Sequence, residues 1–171
     1  MRRIGVLSWT FLIACACSAS PTSVLEQGPR FPDDEGVVTN ITLERMQFDG
    51  ERAYAIGANV ESFGTQSHEP TRLLALEGKY VQVGLDGEEI AWVASIGIVV
   101  QTPTAAVLYT GVFERLDADT NRAVFADGTT LLLGGDVEAP QAGAEIVASI
   151  DAVAHEVVSL EAASSRSAPS P

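Results

Sequence analysis

At 171 residues and a net charge of −13 at pH 7, the chain carries too little basic charge to neutralise a phosphate backbone, which excludes nucleic acid as a partner. The same balance excludes a polybasic patch for an anionic membrane surface, and the acidity reads as a solvated exterior. Both cysteines, Cys15 and Cys17, stand near the start, so the remainder must be stabilised by its apolar core without a disulfide.

The first element is a targeting segment. Arg2 and Arg3 form a positive start, and Ile4 to Ala14 an apolar run well short of the roughly 20 residues a spanning helix needs. That is the layout of a secretory signal. Leu12-Ile13-Ala14-Cys15 resembles the lipobox of bacterial lipoproteins, in which a large aliphatic residue and two small or aliphatic ones precede the acylated Cys. The resemblance implies that residues 1–14 are a signal peptide cut before Cys15. It further implies that Cys15 is lipidated and that the protein partners the membrane through its acyl chains, which anchor stably when there are two or more. Ala14-Cys15-Ala16 also fits an ordinary cleavage site that would leave Cys17 first. A Cys17 acylation frame lacks the aliphatic residue, so Cys15 is preferred. By the sorting rule of that family, Ala16 rather than Asp after the Cys points to the outer membrane, facing the periplasm.

Residues 15–36 are rich in Ser and Pro and end in Asp33-Asp34-Glu35, a composition expected of a flexible tether with solvated acids. From Val37 the pattern changes to period two, the signature of half-buried strands. Val37, Thr39, Ile41 and Leu43 are expected to share one face; so are Tyr54, Ile56, Ala58 and Val60; Val81, Val83 and Leu85; and Ile90, Trp92, Ala94, Ile96 and Ile98. Leu73 to Leu76 is the one expected turn of helix, ended by Gly78. Asp49-Gly50, Asp86-Gly87 and Asp127-Gly128 read as tight hairpin turns.

An internal repeat is expected as well. Glu44-Arg45, Asp49 and Arg52-Ala53 recur as Glu114-Arg115, Asp119 and Arg122-Ala123 at a spacing of 70, and Gly78 to Asp86 corresponds to Gly143 to Asp151. The pattern predicts an all-β protein of two tandem small five-stranded barrel-like modules of the OB or SH3 kind, over 37–100 and 105–162, packed on each other because each is near the lower size limit for independent folding. Residues 163–171 are expected to form a disordered tail. The alternative is one larger barrel of eight to ten strands enclosing a central cavity. Val107 to Leu160 resembles small envelope β-modules of unknown function in bacterial lipoproteins, a resemblance that brings no catalytic residues.

Catalytic constellations are sparse. His68 and His155 are the two histidines, and a zinc site needs three or four protein ligands. Ser67-His68-Glu69 holds three triad residue types, but adjacent residues in one loop do not converge as a triad must. No catalytic residue, metal ligand or cofactor is assigned. Trp92, Tyr109 and His68 are the expected ligand contacts, with Trp92 also fitting a core role on the face of Ile90 and Ala94. The expected function is a non-enzymatic binding or scaffold module in the bacterial cell envelope, with an envelope protein, a wall polymer or a small molecule as partner. The alternative is an envelope hydrolase or metal-dependent enzyme using His68 and Glu69.

Overall fold

The computed structural model describes residues 29–64, 71–101 and 105–163. Five strands, β1 (Asp34–Ile41), β2 (Arg45–Phe48), β3 (Arg52–Phe63), β4 (Lys79–Asp86) and β5 (Glu89–Gln101), are followed by β6 (Ala105–Asp117), β7 (Arg122–Phe125), β8 (Thr130–Leu132), β9 (Glu145–Asp151) and β10 (Glu156–Ala162). Among the described residues the helical element is a 3-10 turn over Leu73–Leu76, where the sequence places it. The chain is all-β, as its alternating pattern implies.

Hydrogen bonding closes β1 to β5 into a ring of order β1-β2-β3-β5-β4, with β4 returning to β1. All pairs are antiparallel except β3 with β5, which is parallel. β6 to β10 repeat the same order: β6 pairs β7 and β9, β7 pairs β8, and β9 pairs β10. A parallel bridge from Leu133 to Val157 joins the β8 side to β10, so this second ring is the more open one. Closure of this kind removes exposed strand edges. The antiparallel pairing of β5 with β6 at Val99↔Val107 and Val100↔Ala106 runs the two rings into one sheet.

Each ring has its own apolar filling. Met46, Phe48, Leu76, Val81, Val83, Ile90 and Val93 form one buried cluster; Tyr109, Phe113, Phe125, Leu131, Ile146, Ile150 and Val157 belong to the other. Tyr80 and Ile96, from β4 and β5, sit in the second cluster, so the rings share a packed seam. The two separate clusters describe a pair of small barrels, in place of one wide barrel around a central cavity.

Bulges change which side chains face inward. In β1 the register shifts between Val38 and Asn40. Val38 and Ile41 are buried, whereas Thr39 and Leu43, expected on the same face as Ile41, are exposed. In β5 the pairing passes from Leu85↔Ile90 to Gly84↔Trp92, which leaves Ala91 as the extra residue of a bulge. Ile90 and Val93 therefore face the core, and Trp92 lies half-buried on the outside. Its indole covers Gly84 so closely that a Cβ there would collide with the ring.

Two further expectations are corrected. The repeat is real in strand order but not at the spacing of 70: Asp49-Gly50 joins β2 to β3 and Asp127-Gly128 joins β7 to β8, so these are the equivalent turns. Glu44-Arg45 leads into β2, while Glu114-Arg115 lies inside β6, because β6 has 13 residues and β1 has 8. The tether also stops earlier than residue 36. β1 begins at Asp34, and the acids expected to be solvated each have a partner within the fold.

Candidate functional site

On the outside of the first ring, small and large residues alternate along β3. Tyr54 and Ile56 pack toward the first core, and Ala53 and Ala55 between them leave a trough. β2, the β1–β2 turn and the β4–β5 turn wall it in. The result is a cleft of about 580 Å3 lined by Glu44, Arg45, Ala53, Tyr54, Ala55, Gly87 and Glu88. A neighbouring hollow of about 380 Å3 adds Asn40, Thr42, Gln47 and Glu51 and shares Arg45 and Ala53.

The walls are set by local chemistry. Thr42 Oγ1 accepts the backbone N–H groups of Glu44 at 3.3 Å and Arg45 at 3.0 Å, an ST-type turn that fixes the approach to β2. Asp49 (φ 50°) and Gly50 (φ 81°) have the two positive φ angles of a two-residue hairpin turn. Gln47 Nε2 donates to the Gly50 carbonyl at 2.7 Å. Tyr54 is held from behind, its hydroxyl donating to Asp34 Oδ2 at 2.8 Å. That bond, followed by burial, pushes the phenol above its ordinary value. Among the lining residues Arg45 is the cation, set between Glu44, Glu51 and Glu88. This surface can hydrogen-bond and ion-pair with a polar ligand; its hydroxyls, on Thr42 and Tyr54, are already committed to the turn and to Asp34.

A second polar cluster fills the seam between the rings. Glu35, 7 % exposed, receives Gln82 Nε2 on Oε2 at 2.8 Å and lies 3.0 Å from Arg122 Nη2 through Oε1. Gln82 Nε2 and Arg122 Nη1 both donate to the Thr130 carbonyl, at 2.7 and 3.2 Å. Arg52 binds Asp34, the Glu35 carbonyl at 2.9 Å and Asp49 Oδ2 at 2.5 Å. Burial works to lower the Arg52 pKa, but the hydrogen bond to Asp49 and the charges of Asp34 and Asp49 outweigh it and raise the value. Asp33 Oδ2 accepts the Leu85 N–H at 2.8 Å. The acidic run is thus a structural junction.

The residues singled out from sequence fall in different places. Tyr109 is 2 % exposed inside the second core, with its ring 4.8 Å from Phe125, so it is not accessible to a ligand; burial raises its pKa. Trp92 is on the outside but is not among the residues lining the cleft. His155 occupies the β9–β10 turn at φ 59°, 3.6 Å from Asp49 Oδ2 and edge-on to Tyr80 at 5.8 Å, as part of the seam. His68, Glu69, Cys15 and Cys17 lie outside the described residues. Sequence reasoning passed over Glu44, Arg45 and Glu88. The available signal was Ala53 and Ala55 interleaved with Tyr54 and Ile56: one face of a strand made smooth.

Among the described residues, no group of three or more His, Cys, Asp and Glu side chains could hold a metal ion, and no helix is long and apolar enough to cross a membrane. The chain matches no protein-family profile, and no curated protein or solved structure is significantly similar to it.

Proposed function

We propose that this chain is a bacterial envelope lipoprotein, anchored through Cys15 in the outer membrane, whose first barrel is a non-enzymatic binding module. The open cleft on the β2–β3 face carries the reading. The ring order is that of an OB-type barrel, a fold in which strands 2 and 3 and the 1–2 and 4–5 loops bind ligands. Arg45, Ala53 and Ala55 on the hairpin, Glu44 in the first turn and Gly87-Glu88 in the last stand in those positions. The excess of acid over base around Arg45 opposes a polyanion and suits a neutral or cationic group on an envelope protein, wall polymer or small molecule.

A photo-crosslinking residue at Glu88, in the full chain in its native envelope, tests the site. A discrete adduct is expected from position 88 and none from Glu161, far from the cleft on the second ring; adducts equal at both positions, or absent from both, overturn it. The anchor is tested separately. Cys15→Ser should lose labelled fatty acid and leave the membrane fraction, and retention of both sinks the Cys15 assignment.

A further inference from the structure

The segment entering β1 lies along hairpin β7–β8 of the second ring. The Arg30 N–H donates to the Gly128 carbonyl at 2.8 Å and Thr130 Oγ1 donates to the Arg30 carbonyl at 2.7 Å, so one residue of the segment exchanges a pair of bonds with the hairpin. Pro32 has no N–H to satisfy and favours the extended backbone that follows. Five residues after Arg30 comes Glu35, whose carboxylate meets Arg122 at 3.0 Å and Gln82 at 2.8 Å. Arg122 in turn reaches the Thr130 carbonyl. One backbone bond and one hydroxyl bond to an extended segment, followed by an arginine that captures an acid, combine two recurring modes of peptide recognition.

The hairpin meets this segment through two polar side chains, Thr130 and Arg122, while its apolar ones are turned away. Ala123, Phe125, Leu131 and Leu133 point into the second core, and the bonds from Arg30 and Glu35 to the hairpin are all polar. β7–β8 also holds the place in its ring that β2–β3, with its open cleft, holds in the first. We propose that β7–β8 is a recognition surface for an extended acidic peptide, closed in cis by Arg30–Glu35. It is a second binding face, independent of the first-barrel cleft, and its own N-terminal segment shows what it recognises: an extended chain with a carboxylate placed for Arg122.

Hydrogen exchange on the full chain tests this, with a synthetic peptide spanning Pro29 to Gly36 as the probe. Glu35→Gln should raise exchange at the Arg30 amide, which donates to Gly128, by about tenfold through local opening, while β4 and β5 keep wild-type protection. Added peptide should dock in the segment's place, with the peptide's own Arg30 amide protected against exchange, and a peptide with Ala in place of Glu35 should stay unprotected. Unchanged exchange in Glu35→Gln, equal acceleration in every strand, or equal effects of the two peptides overturns the proposal. If Glu35→Gln does not fold, the wild-type chain serves. Excess probe should then speed exchange at the Arg30 amide by displacing the segment, and no change there also overturns it.

Discussion

Hairpins β2–β3 and β7–β8 occupy the same place in the same strand order, yet one borders an open cleft and the other is packed away. β7 and β8 are buried or half-buried along their whole length, whereas Arg45 opens β2 exposed and exposed positions recur along β3. The difference does not come from the hairpins' topology. It goes with the segment before β1, which Asp33 fastens to β4 of the first ring and which at Arg30 bonds Gly128 and Thr130 of the second ring's hairpin. A duplicated barrel can thus keep one ligand face free while its twin becomes an internal contact.

The largest effect should separate two arginines in comparable strands. Arg122→Ala removes one partner of a buried pair, with side chains 15 % and 9 % exposed, and should cost about 3 kcal/mol in denaturant unfolding. Arg45→Ala, at the matching strand on the open side, should stay within about 0.5 kcal/mol. Equal losses would break the contrast. Gly36→Ala comes next: a Cβ there would collide with Asp49 and press on Arg52 at 2.9 Å, and overpacking of that kind costs about 1–3 kcal/mol, to be read as a lowered melting temperature.

Ala55→Leu sharpens the comparison from the other side. It fills the trough of the exposed hairpin, so stability should move by no more than about 0.5 kcal/mol while crosslinking from position 88 is lost. The smallest effect is acidic. Asp151, in the second ring's last turn, accepts the N–H groups of Ala154 at 3.0 Å and Val153 at 2.8 Å, and these hold its carboxyl below the ordinary 3.8. A depressed folded value means that its contribution is complete above pH 3.8 and is lost as pH falls through the lower folded value. Asp151→Asn should therefore lower stability slightly through the neutral range, with the deficit closing as pH falls below 3.8, so that the acid limb of the unfolding curve flattens and the two chains converge.

Much of the architecture is legible in the chain. Period-two alternation gives the strands, and Asp49-Gly50, Asp86-Gly87 and Asp127-Gly128 give three of the turns. Leu73–Leu76 gives the helical turn, and Gly78 and Gly143, both at positive φ, mark equivalent entries to β4 and β9. What failed was phase. A bulge inserts one residue and exchanges the faces of everything beyond it, so Thr39 and Trp92 were expected on the wrong side. Nothing in a two-residue period announces Ala91 as the extra residue. Of the site, only the smoothness of Ala53 and Ala55 was readable, because a cleft is made by neighbours from strands distant in sequence.

The sequence by itself determined an all-β chain in two similar halves, since alternation and turn chemistry act locally and survive in any tertiary context. Only the tertiary structure decided that Asp33-Asp34-Glu35 is a junction instead of a solvated tether, because a carboxylate's partner depends on what lies beside it in space. Leu85, Arg52 and Gln82 stand far along the chain, and Arg122 is in the other ring. The same reason decides that one of two equivalent hairpins keeps its cleft and the other does not.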